Sequence, residues 1–104
     1  EAIWVLAYNK NKIRVEAGRL GLLEDVQAAM LAHPRSVRLQ VIACGAICNL
    51  VAENGVNRVQ ARRLGLLNGV TATAMMHWNS AEMQLCGVLA LLAMCSSIGS
   101  PVEP

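Results

Sequence analysis

Apolar residues recur along this chain at the three- and four-residue spacing of helices, and nowhere in the two-residue alternation of a half-buried strand. Leu22, Leu23, Val26, Ala29 and Met30 share one helical face and predict a helix from about Leu20 to Ala32. Pro34 closes it, in the turn His33-Pro34-Arg35-Ser36. A shorter helix is predicted just before, Lys12 to Ala17, ending at Gly18, since glycine tolerates the left-handed position that follows a helix. After the turn a long helix is predicted from Val37 to Ala52, with Ser36 as its N-cap and Asn54-Gly55 as its stop. Asn79 and Glu82 stand three apart ahead of another apolar run, a capping-box spacing with Asn79 as the cap. Residues 97–104, rich in Ser, Gly and Pro, read as a flexible tail.

These elements repeat. Residues 14–33 and 58–77 are identical at eleven of twenty positions at an offset of 44, including Arg-Leu-Gly-Leu-Leu at 19–23 and 63–67. Cys44-Gly45 matches Cys86-Gly87 at an offset of 42, which places a two-residue deletion in the loop between His77 and Glu82. Ala2, Ile3 and Leu6 match Ala46, Ile47 and Leu50, again at 44. The organisation that follows is a partial repeat over 1–9, a full repeat over 10–53 and another over 54–96. A helical period of 42–44 residues belongs to the all-α solenoids, whose units bury a continuous core only by stacking.

The residues carry a resemblance. Gln40 to Val51, read as Gln-Val-Ile-Ala-Cys-Gly-Ala-Ile-Cys-Asn-Leu-Val, resembles the third helix of the armadillo repeat, with its A-G-A-L-W-N-L-A core. Ala2 to Lys12 resembles the same segment running into the next repeat, and Val15-Glu-Ala-Gly18 followed by Leu20 resembles the glycine turn between the first two helices. The likeness covers residues 1 to about 96. Two departures stand out: Gly18 is replaced by Arg62 in the second copy, and the first helix of that copy has little chain to form from. The resemblance implies a right-handed superhelix of about eight helices. Its expected core is Leu22, Leu23, Val26, Ile47 and Leu50, with Leu66, Leu67, Val70, Leu89 and Leu92 as their counterparts.

The resemblance also implies a function: a non-catalytic scaffold that binds a peptide or helix along a concave groove lined by the third helices. The expected groove residues are Trp4 and Tyr8 from the partial repeat, Arg38, Ile42, Gly45 and Asn49 from the first, and Gln84 and Leu91 from the second. Asn49 would hydrogen-bond a peptide backbone, since its amide offers both donor and acceptor. The import-adaptor branch of the family does not fit, because Gly45 stands where its groove tryptophan belongs and the groove lacks acidic residues. The apolar line has a second explanation, favoured for most of it: Trp4 and Val88 to Met94 as surface for stacking between repeats.

Composition narrows the field. The chain of 104 residues is 55% hydrophobic and 15% charged, with a net charge of +2, which excludes a disordered segment and a strongly basic nucleic-acid binder. Its longest apolar run, Val88 to Cys95, is far shorter than the roughly 20 residues that span a membrane, so no membrane partner is expected. Lys10, Lys12, Arg14, Arg19, Arg58, Arg62 and Arg63 recur at matching places and offer nucleic acid as an alternative partner along one edge. Acidic neighbours dilute that stripe and no aromatics interleave it, so a solvated edge is the favoured reading. Cys44, Cys48, Cys86 and Cys95 contain no C-x-x-C pair; they read as free thiols in a cytoplasmic or nuclear protein, not as a metal site. No phosphate loop, nucleophile elbow or paired-histidine motif points to catalysis or to a cofactor, although substrate docking for a larger enzyme is a third reading. Neither end of the array carries a polar cap, so self-association or flanking repeats in a longer protein are expected.

Overall fold

The computed structural model describes residues 2–96, with side chains from Lys10 to Ser96. The expected tail, residues 97–104, lies outside the described residues. Six helices are present: α1 (Ala2–Arg19), α2 (Leu22–Ala32), α3 (Val37–Val51), α4 (Gly55–Arg63), α5 (Leu66–Met76) and α6 (Ala81–Cys95), with no strand among the described residues. The expected eight is too many: a one-helix partial unit and two three-helix units make seven, and the partial-repeat segment and the following first helix form one continuous α1, which crosses the 9/10 boundary and leaves six among the described residues.

The repeat is structural as well as sequential. Helices α5 and α6 begin and end 44 residues after α2 and α3. The same side chains fix both turns. Ser36 Oγ accepts the Leu39 amide at 3.2 Å, and Ser80 Oγ accepts that of Met83 at 3.1 Å. Gln40 Nε2 donates to the carbonyls of Met30 and His33, and Gln84 Nε2 to those of Ala74 and His77. The period is therefore 44 through the third helix. The 42-residue offset and the two-residue deletion are corrected, and Cys44 is equivalent to Val88, not Cys86. The N-cap of α6 is Ser80, in place of Asn79.

Two glycines adopt the left-handed conformation, Gly21 (φ 79°) and Gly65 (φ 83°), and each sits immediately before the second helix of its copy. The hinge thus falls on the shared Arg-Leu-Gly-Leu-Leu run and loses nothing when Gly18 becomes Arg62. Gly18 itself lies within α1, where a Cβ would collide with the side chain of Asn57. That side chain cannot swing away freely, because its Nδ2 donates to the carbonyls of Arg14 and Leu50 at 2.8 Å each. The first helix of the second copy is a regular nine residues, because Asn54 caps it by accepting the Asn57 amide. Asn54-Gly55 therefore starts α4 as well as following α3.

Helix α3 occupies the centre, packed by α1, α2, α4 and α6. Cys44, Ile47 and Val51 are fully buried on it, joined by Leu23, Leu66, Val70, Met83, Ala90 and Met94. Several expected core positions are otherwise placed. Leu50, Leu67 and Val26 are partly buried against this core. Leu22 (40% exposed), Leu89 (50%) and Leu92 (62%) lie at the surface. Leu22 opens α2 at the hinge, while Leu89 and Leu92 lie off the α6 face that carries the buried Met83, Gly87, Ala90 and Met94.

Candidate interaction surface

Arg38, Ile42, Gly45 and Asn49 are spaced four, three and four apart, so one face of α3 carries them all. Arg38, Ile42 and Asn49 are exposed, and Ile42 is 62% so despite being a β-branched hydrocarbon. A Cβ added at Gly45 would meet nothing within 4 Å, so open space lies above the helix there. A cleft of about 440 Å³ runs between the starts of α3 and α6, lined by Val37, Arg38, Val41, Ile42, Ser80 and Glu82. A second hollow of about 280 Å³ adjoins it at Ser36, Arg38, Leu39 and Ile42. The floor is aliphatic and the rim carries one guanidinium and one carboxylate, an arrangement suited to an uncharged or mixed-charge segment.

The correct period moves the second copy's contribution. Glu82, Cys86, Leu89 and Ala93 stand where Arg38, Ile42, Gly45 and Asn49 stand in the first. Gln84 corresponds to Gln40 and spends its amide on the Ala74 and His77 carbonyls. Leu91 corresponds to Ile47 and packs against the core. Neither belongs to the exposed line. The Trp4 and Tyr8 side chains lie outside the described residues. Asn49 presents its side chain to solvent, while its backbone carbonyl accepts from Arg14 Nε at 2.6 Å.

The basic residues do not form one uniform edge. Arg58 is buried (1% exposed), with Nε donating to the Ala93 carbonyl and an Nη2 to that of Val51. It thereby reaches the C-terminal turns of both third helices, where carbonyls lack intrahelical donors and the helix dipoles favour a cation. Arg14 does the same for α3 alone, and Arg19 pairs with Glu16 at 2.9 Å. Lys10, Lys12, Arg62 and Arg63 remain exposed.

Burial, reinforced by the neighbouring Cys48 and Cys86 thiols, pushes the Cys44 thiol up to about 11, and burial raises that of Cys48. Such thiols are poor nucleophiles at neutral pH. Among the described residues, no group of three or more His, Cys, Asp or Glu is placed to hold a metal ion. None of the described helices is long and apolar enough to cross a membrane.

Sequence reasoning missed a cleft of about 320 Å³ between α2 and α5, lined by Met30, Leu31, Leu66, Gly69 and Thr73 among others. At one end His77 Nε2 donates to the Pro34 carbonyl at 2.9 Å; at the other Gln27 Nε2 donates to that of Leu64 at 2.6 Å. Thr73 Oγ1 is buried there without a hydrogen-bond partner, and the recurrence of His33 and His77 at matching turns was the only signal that these corners meet.

No protein-family model, curated protein or solved structure matches this chain.

Proposed function

We propose that this chain is a non-catalytic protein-interaction scaffold, two armadillo-type units of a right-handed α-solenoid, that binds an extended peptide or a helix across the cleft between α3 and α6. The observation that carries this reading is the exposed Ile42, set with Arg38 in a cleft between consecutive third helices. An aliphatic floor with a sparse polar rim is the composition that anchors a partner's apolar side chain while fixing its orientation. In this reading Asn49, further along the same face, holds the partner's backbone, and the protein works in the cytoplasm or nucleus with its thiols reduced.

A displayed random-peptide library selected on the chain tests this. Recovered peptides should share an aliphatic or aromatic anchor, and Ile42→Asp should abolish their binding while the remote Leu31→Lys leaves it intact. Peptides indifferent to Ile42, or none recovered, would remove the proposal. The nucleic-acid reading is less favoured because Arg58 and Arg14 are engaged by backbone carbonyls. Binding to single-stranded oligonucleotides that falls steeply with salt would revive it.

A further inference from the structure

Consecutive third helices, α3 and α6, form the most extensive helix pairing in the molecule. Consecutive second helices, α2 and α5, instead leave the cleft of about 320 Å³ between them. Small residues on α5, Gly69 and Ala72, recess its wall, and a Cβ added at Gly69 would meet nothing within 4 Å. The cleft lies between two complete units, and bonds between those units hold both of its ends. Gln27 Nε2 donates to the Leu64 carbonyl at one, and His77 Nε2 to the Pro34 carbonyl at the other. Gln27 and Pro34 are seven residues apart, about 10 Å at the helical rise. The space is short, and its shape is set by its own frame before anything enters, as small-molecule sites are.

Its chemistry is selective. No charged residue lines it, and its two glutamines, Gln27 and Gln40, commit their amide N–H groups to backbone carbonyls. One polar atom is left over. Thr73 is 7% exposed, and its Oγ1 is the buried side-chain oxygen without a hydrogen-bond partner among the described residues. Thr71, two residues earlier, satisfies its hydroxyl on the Leu67 carbonyl four residues back, a bond that Thr73 does not make with Gly69. A buried hydroxyl without a partner is destabilising until something supplies one. The first copy has neither feature: Asp25 and Ala29 stand 44 residues before Gly69 and Thr73. At this wall the second copy has exchanged a charge for space and a methyl for a hydroxyl-bearing side chain.

We infer that the α2/α5 cleft binds a compact, uncharged, mainly hydrocarbon molecule carrying one hydroxyl group, which exchanges a hydrogen bond with Thr73 Oγ1. A threonine hydroxyl both donates and accepts, so it matches an alcohol or a phenol. A cavity of about 150 Å³ takes benzene, so this cleft takes a molecule of roughly ten heavy atoms. A carboxylate or ammonium group would lose its hydration here and meet no counter-charge. Met30 and Met76, unbranched and flexible, line the same cleft and move aside to admit the ligand to the hydroxyl below the surface. The bounded length excludes an extended peptide, which needs an open-ended groove. The site is separate from the α3/α6 cleft and does not depend on the binding role given to it.

Titration of 2-naphthol, whose hydroxyl is neutral at about pH 7, into the isotopically labelled full chain tests this through amide chemical shifts. The expected result is saturable binding with a dissociation constant of roughly 0.1 mM and shifts centred on residues 27–34 and 66–76. Negatively charged 2-naphthoate should bind at least about tenfold more weakly. Thr73→Val, which keeps the shape of the side chain, should weaken 2-naphthol about fivefold, and Thr73→Ser should bind it nearly as the parent does. Gly69→Leu should fill the cleft and abolish binding while keeping the helical circular dichroism of the parent. Ile42→Asp should leave binding unchanged. No binding at about 2 mM 2-naphthol would overturn the inference. So would shifts centred elsewhere, equal binding of 2-naphthoate, or undiminished binding by Thr73→Val.

Discussion

Replacing Arg58 by Met removes a cation that touches the ends of two helices at once, and its cost follows from the geometry. Two of its donors reach the Ala93 and Val51 carbonyls, both at 3.1 Å, and the residue is 1% exposed. Methionine keeps much of the aliphatic volume but donates nothing, so the Ala93 and Val51 carbonyls each lose a charged donor, while Val51 keeps the Asn54 amide at 3.2 Å. A hydrogen bond from a charged donor contributes about 1.5–3 kcal/mol, and water cannot readily replace it here. Removing both should therefore cost roughly 3–5 kcal/mol, a large share of the 5–15 kcal/mol typical of a domain. Arg14→Met should cost about 1 kcal/mol, because Arg14 is only partly buried and reaches one carbonyl, that of Asn49. Urea unfolding followed by circular dichroism at 222 nm reads both as shifts in midpoint at constant slope. Equal losses for the two arginines, or an Arg58→Met loss under about 0.5 kcal/mol, would refute this account of why the second arginine is buried.

Three further outcomes are expected. Gly18→Ala should destabilise by roughly 1–3 kcal/mol through collision with the fixed Asn57 side chain, whereas Gly45→Ala, with nothing within 4 Å, should stabilise α3 by about 0.5–1 kcal/mol, both read by urea midpoints. Ile47→Ala, at a fully buried site, should cost about 2–5 kcal/mol and the half-buried Leu50→Ala less, so equal losses would contradict the burial. The Cys44 thiol stays neutral to about 11 when folded against 9.0 for a free thiol, so its contribution is complete below pH 9 and is lost as pH rises to 11. Stability should therefore fall across that window more steeply in the parent than in Cys44→Val, and parallel pH profiles would count against it.

How much of this was legible in the sequence depended on whether a residue's neighbour lay in its own copy. The second and third helices of the first copy and the Ser36 cap came directly from local patterning, with the helix ends placed to within two residues. The registration of the second third helix failed because a chance Cys-Gly pair outweighed the less conspicuous Ser36/Ser80 and Gln40/Gln84 matches. Each helical residue turns about 100°, so a shift of two carries a side chain about 200° round, to the opposite face. Gln84 and Leu91 were misplaced in that way, while Arg38 and Ile42, which needed no registration, do line a cleft. Leu89 and Leu92 were expected inside because apolarity marks a packing face without saying what covers it. Arg58 was read as a solvated charge, since its acceptors are backbone carbonyls, which leave no trace in a side-chain pattern. Its recurrence with Arg14 at the same place in both copies was the available signal.

The central claim, that the cleft between the starts of α3 and α6 receives a protein partner, is tested most directly by amide chemical-shift mapping. A peptide selected on the chain would be titrated into isotopically labelled protein, with backbone resonances followed throughout. The account predicts perturbations concentrated at residues 37–42 and 80–82 and extending along α3 to Asn49. Perturbations centred on the α2/α5 cleft or spread without a focus would contradict it.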